Sequence, residues 1–108
     1  MIPEPSTLEL TRCASCHLRF LPNDGPCPRC GSRDCTIYAA SSMGRVLAAT
    51  ELQYPASGWH APHPLALVEL EDAVRVLAIE EGSLPEVGTL VRVRRDGALY
   101  RARAPTPE

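Results

Sequence analysis

The sequence predicts a mostly β protein in two unequal parts, a small N-terminal module stapled by cysteines and then a barrel of five short strands. Three observations carry this. The five cysteines are confined to positions 13–35, and residues 36–108 have none. The Leu, Val and Ile runs lie after residue 44. Eleven prolines and seven glycines punctuate the 108 residues, against one Phe and one Trp, which favours many short elements joined by turns over long helices. At this length one compact domain with a small appendage is the ceiling.

Composition narrows the class. With 44% hydrophobic and 22% charged residues the chain has enough apolar side chain for a core. Net charge is −2, and all eleven basic residues are Arg; a non-specific nucleic-acid binder draws its affinity from a positive excess that is absent here. No run approaches the roughly 20 apolar residues of a membrane span. The opening MIPEPSTLEL lacks the basic and apolar regions of a signal peptide. The expectation is a cytoplasmic protein without membrane contact, whose reduced thiols serve a metal before disulfides.

Residues 1–12 hold two prolines and read as a loosely ordered arm with at most a short turn through Leu8 and Leu10. Residues 13–36 are the cysteine module, and residues 38–43 are the link into a domain occupying 37–108. There, residues 46–54 alternate loosely and residues 65–70 are an apolar run. Glu71-Asp72 makes a tight turn into the β-branched residues 74–79, so these two segments form a hairpin. Residues 84–88 bend, with Gly88 free to take a positive φ. Residues 90–95 and 99–104 flank Asp96-Gly97, a dipeptide suited to a type I′ turn. Five strands in about 60 residues, with one long Pro-rich loop, fit a Greek-key barrel, foremost the oligonucleotide/oligosaccharide-binding (OB) fold. An SH3-like barrel or half-open sandwich satisfies the same strand count.

Cys13-x2-Cys16 and Cys27-x2-Cys30 are two knuckles. A thiolate pair spaced by two residues grips one face of a tetrahedral ion, and a second pair closes the coordination. Pro28 and Gly31 suit the tight turn of the second knuckle. Four thiolates and no open position predict one structural zinc (Zn2+), although an iron centre uses the same donors. A module this small needs such help to fold. Cys35 stands outside the pairs and reads as a small buried residue, and His17 finds no vacancy in a complete set.

Two features could carry recognition. The loop at 54–64 holds Trp59, His60 and His63 between prolines, and an aromatic on a stiffened loop loses little entropy on docking; Trp59 could equally cap the barrel. Around an Asp96-Gly97 turn, Arg92 faces Arg101 with Arg94 and Arg103 diagonal to them. Four guanidinium groups on one sheet face repel unless an anion lies among them. Glu69, Glu71 and Glu80 on the neighbouring hairpin could supply a salt-bridge ladder; a phosphate-rich ligand or an acidic partner surface could replace it. No nucleophile pairs with a base, so independent catalysis is not expected. Five aromatics in all are few for a single-strand binder.

In order, Cys13, Cys16, Cys27, Pro28, Cys30, Gly31 and Ser32, then Gly44 and Val46, residues 64–71, and Val87, Gly88, Val91 and Val93 resemble the DUF35 family over about residues 10–104. That resemblance implies a rubredoxin-like zinc ribbon followed by an OB-fold domain. It further implies a non-catalytic accessory subunit of a thiolase-superfamily enzyme, with a thiolase-like, acyltransferase or aldolase subunit as partner and acyl-CoA as a possible ligand. A nucleic-acid-binding ribbon and barrel is the alternative.

Overall fold

The computed structural model describes residues 6–23, 25–52 and 63–104. It consists of a three-stranded sheet and a closed five-stranded barrel. In the sheet, β1 (Thr7–Cys13) lies between the short β2 (Arg19–Phe20) and β3 (Cys35–Ser41), both antiparallel to it. The barrel follows as β4 (Met43–Leu52), β5 (His63–Glu69), β6 (Arg75–Glu80), β7 (Leu90–Asp96) and β8 (Leu99–Arg103).

Most of the described part of the expected arm, and most of the expected link, is strand. Residues 7–12, read as loosely ordered, form most of β1, because Leu8 and Leu10 alternate with polar neighbours and the inward face finds β3: Leu8 pairs with Ala40 and Leu10 with Tyr38. Both leucines are buried, and burying such a side chain contributes about 1.5–3 kcal/mol. The sheet extends to Ser41, past the expected boundary at residue 36, so that residues 38–41 are ladder and not linker.

The barrel order β4-β5-β6-β8-β7 closes through β7 onto β4. Its one parallel pairing, β6 with β8, sets Ile79 against Arg101 and Glu80 against Ala102. This circuit is the OB-like Greek key, which decides among the architectures that strand count left open. A bulge between Val46 and Ala48 bends β4, letting its start pair with β7 while the rest follows β5. Gly44 sits at that crossing, where an added Cβ would strike Val68 Cγ1 and approach the Glu69 carbonyl at 2.9 Å.

One apolar cluster serves both parts. Val46, Ala66, Val68, Val76, Ala78, Val91, Val93 and Ala102 fill the barrel, and Leu8, Leu10 and Ala40 of the ribbon sheet join them. Ser42 turns the chain from β3 into β4. It is fully buried, its N–H donates to the Ser6 carbonyl (3.1 Å) and its carbonyl accepts from Val93 N–H (2.8 Å).

The β5–β6 turn is a 3-10 turn, Glu71–Ala73, with Asp72 (φ 61°) and Ala73 (φ 60°) in the left-handed region. The last hairpin turns one residue later than Asp96-Gly97 suggests. Asp96 pairs with Leu99, leaving Gly97-Ala98 as the central pair, with Gly97 at φ 64° where a type II′ turn requires it. The partners therefore shift by two: Arg92 faces Arg103 and Arg94 faces Arg101. An even shift keeps every side chain on its expected face. Among the described residues no helix is long and apolar enough to cross a membrane.

Candidate metal centre and the surfaces around it

The four cysteines of the two knuckles converge. Sγ atoms of Cys13, Cys16, Cys27 and Cys30 all lie within 4.8 Å of one another, with Cys13–Cys30 at 3.5 Å and Cys16–Cys27 at 3.6 Å. A tetrahedron with metal–sulfur bonds of about 2.3 Å has edges of about 3.8 Å. The donor set fits a four-coordinate metal ion with thiolates at every corner.

The two knuckles are built alike. His17 N–H donates to the Cys13 carbonyl (3.0 Å), and Gly31 N–H donates to the Cys27 carbonyl (2.9 Å). Each closing residue is left-handed, His17 at φ 64° and Gly31 at φ 80°. The turns aim amides at sulfur: Cys16 N–H donates to Cys13 Sγ (3.5 Å) and Arg29 N–H to Cys27 Sγ (3.4 Å). Such bonds favour the thiolate, the form that binds metal. The Cys16 amide, working against burial, is the main cause of Cys13 falling to about 6. Cys16 is lowered too, first by the Leu18 backbone. For Cys30 the Ser32 amide is outweighed by hydrogen bonding with Cys13 and by burial, and it is pushed up to about 12. Crowded thiols thus share few negative charges among themselves, and a dication would hold all four as thiolates.

Cross-links tie one knuckle to the other. Arg29 Nη2 donates to the Cys16 carbonyl (2.9 Å), Ser15 Oγ to Ser32 Oγ (3.1 Å), and Ala14 N–H to the Asp34 carbonyl (2.9 Å). His17 is turned to Arg12, whose Nη2 donates to its Nδ1 at 3.1 Å. Cys35 pairs across the ladder with Cys13 and packs beside Phe20 and Leu18 in the small apolar cluster behind the site. Its Sγ donates to the Ser32 carbonyl (3.5 Å), and burial raises its pKa.

The Arg face lies on β7 and β8 as expected, but the acids that meet it are different ones. Arg94 pairs with Glu81 and Arg101 with Asp96, both at 2.7 Å, while Arg92 Nη1 donates to Ser42 Oγ (2.7 Å). Arg103 is half-buried at the barrel end. Of the acids expected there, Glu69 is 3.7 Å from Arg75 instead, Glu71 sits in the 3-10 turn, and Glu80 is buried. Trp59 and His60 lie outside the described residues. His63 begins β5.

A polar cluster that sequence reasoning missed joins ribbon to barrel. Arg19 of β2 reaches Asp72 (2.7 Å), Tyr38 Oη of β3 donates to the same Oδ2 (2.9 Å), and the Arg19 guanidinium lies 5.6 Å from the Tyr38 ring centroid. The Tyr38 hydroxyl, then Arg19, hold the Asp72 carboxyl below the usual range. Only the fold brings positions 19, 38 and 72 together, so no motif announces them.

No family model matches the chain. Over 69 residues it is 42% identical to the "DUF35 domain-containing scaffold protein" of Pyrococcus furiosus, covering 62% of this chain and 50% of that protein. The chain thus spans about half the length of the curated relative it matches. Its fold is similar to a solved structure described as "Ltp2-ChsH2(DUF35) aldolase", with a TM-score of 0.66 and 29% identity, over 90% of this chain and 82% of that one. Both carry the DUF35 designation to which the sequence points.

Proposed function

From this likeness to DUF35 proteins in sequence and in fold, we propose that the chain is a non-catalytic accessory subunit of a thiolase-superfamily enzyme acting on acyl-CoA substrates. The observation that carries the reading is the match over 90% of the chain to a solved structure described as "Ltp2-ChsH2(DUF35) aldolase". The relative described as a scaffold protein supports the non-catalytic part. The four-thiol cluster holds structural zinc, since a closed set of sulfur donors fixes a fold and leaves no position for substrate. The Trp59 loop and the face of Arg92, Arg94, Arg101 and Arg103, together with His60, meet the partner subunit or the CoA phosphates. Arg92, Arg94 and Arg101 already have intramolecular partners, so a ligand there exchanges existing contacts for stronger ones.

The test is co-purification from the native host with identification of what accompanies the chain. A thiolase-like, acyltransferase or aldolase subunit, together with no acyl-CoA turnover by the isolated chain, is the expected result. Turnover by the isolated chain, or salt-sensitive retention on a nucleic-acid column with no enzyme accompanying it, would overturn the proposal.

A further inference from the structure

Of the eight strands described, β3 (Cys35–Ser41, CTIYAAS) is the one without a charged residue. It also lacks proline and glycine, and its register with β1 runs unbroken from Cys35 to Ser41. It forms an edge of the three-stranded sheet, and among the described residues it pairs with β1 alone. Sheet edges are normally guarded against a further strand by charge, proline or a bulge. β3 carries none of these. Thr36, Ile37 and Ala39 are exposed along it, Ile37 to 58%.

The bonds at the two ends of the β1–β3 ladder fix its phase. Ala14 N–H donates to the Asp34 carbonyl (2.9 Å) and Ser42 N–H to the Ser6 carbonyl (3.1 Å). Antiparallel pairs alternate between bonded and non-bonded, so the even-numbered Thr36, Tyr38 and Ala40 direct N–H and C=O to β1, and the odd-numbered Ile37 and Ala39 direct theirs outward. Outward donors and acceptors on an uncharged strand are a template for one more strand. The strand is also held in place for it, because the Tyr38 hydroxyl ties β3 to Asp72 of the barrel at 2.9 Å.

We propose that the β3 edge pairs with β3 of a second copy of this chain, antiparallel across a two-fold axis at Ile37. Ile37 then lies opposite its own equivalent, which covers the exposed side chain, and Ala39 lies opposite Cys35 of the second copy. An uncharged strand meets its own copy with no like charges opposed, a property the other strands, each with Arg or Glu, do not share. The far edge of the sheet is β2, of two residues, so pairing stops at two chains and gives a closed, isologous dimer. This surface is independent of the accessory-subunit reading, and its test needs only the isolated chain.

The experiment follows the purified chain by sedimentation equilibrium and by amide hydrogen exchange over a dilution series of about a hundredfold. The mass of two chains at the concentrated end, falling to one on dilution, is expected. Exchange at Ile37 and Ala39 should speed up about tenfold or more on dilution, whereas Thr36 and Tyr38 stay protected by β1 throughout. Ile37→Lys and Ile37→Glu each set like charges opposite one another at an exposed position and should each be a single chain; mixing the two should restore pairing. Leu77→Lys, which charges a similarly exposed side chain (61%) on the barrel, should leave association intact. A single chain at every concentration with Ile37 and Ala39 unprotected, association that survives Ile37→Lys or is lost equally in Leu77→Lys, or a mixture that does not pair would overturn the proposal. Protection of both amides in a chain that sediments alone would overturn it too, by assigning the edge to another segment of the same chain.

Discussion

The Tyr38 hydroxyl donates to Asp72 Oδ2 at 2.9 Å, joining the third strand of the metal-bearing sheet to the β5–β6 turn of the barrel. Asp72 is held in the left-handed region at φ 61°, a conformation that Asp tolerates better than most residues. Arg19 reaches the same carboxylate, so one acid takes contacts from two strands of the other sheet.

The first prediction follows from that carboxylate. Its pKa is held below the usual range by Tyr38 and Arg19, so its contribution is present above the ordinary carboxylate pKa and is lost as pH falls through the depressed folded value. Asp72→Asn should lower Tm at neutral pH, and the gap to the wild-type protein should close in acid. A gap that stays constant with pH would show that the charge does not matter. A double-mutant cycle of Asp72→Asn with Tyr38→Phe should give non-additive losses.

Metal content gives the second. The purified chain should hold one zinc, measured by elemental analysis, and Cys27→Ser should release it and unfold the ribbon. Cys35→Ser should leave the content unchanged, because the Cys35 thiol bonds to the Ser32 carbonyl and stands outside the cluster. Zinc loss in the Cys35 variant would mean a different set of ligands.

Leu10 provides the third. It is wholly buried in the cluster shared with the barrel. Leu10→Ala should therefore cost about 2–5 kcal/mol in denaturant unfolding. A loose arm would give almost no change.

Gly44→Ala is the fourth. A Cβ there collides with Val68 and crowds the Glu69 backbone, which cannot retreat as a surface side chain can. A loss of about 1–3 kcal/mol is expected, with no change in metal content. A neutral substitution would mean that β4 and β5 lie further apart than described.

The fifth separates recognition from stability on the proposed partner surface. Trp59→Ala should weaken partner association by about 2 kcal/mol or more, measured calorimetrically, with little effect on zinc content. Arg92→Gln should lower Tm through its lost bond to buried Ser42, whereas Arg101→Gln loses an exposed pair worth little. If both Arg variants bind the partner normally, the Arg face is only structural.

The sequence made the metal site legible because ligand spacing is local chemistry: two Cys-x2-Cys pairs state their own geometry. The barrel was legible through its turns, with Gly97 at a positive φ where a hairpin needs it. The register of that hairpin was not, because Asp96-Gly97 and Gly97-Ala98 offer competing central pairs. β1 escaped notice although Leu8-Glu9-Leu10 alternates, since its partner β3 is far along the chain and residues 38–41, Tyr-Ala-Ala-Ser, carry little strand signal of their own. The Arg19–Asp72 pair is a product of tertiary placement alone.

Ser42 has a consequence for how such a chain can change over time. Both its backbone groups are bonded, one to the start of the ribbon and one to β7, and Leu8, Leu10 and Ala40 share their packing with the barrel. A ribbon borrowed from another protein could bring four correctly spaced cysteines and still fail on this barrel. It would also need two leucines and an alanine in register and a small buried residue at the bend. The two halves are therefore heritable only as a pair, and substitutions on one side of the seam constrain those the other side can accept.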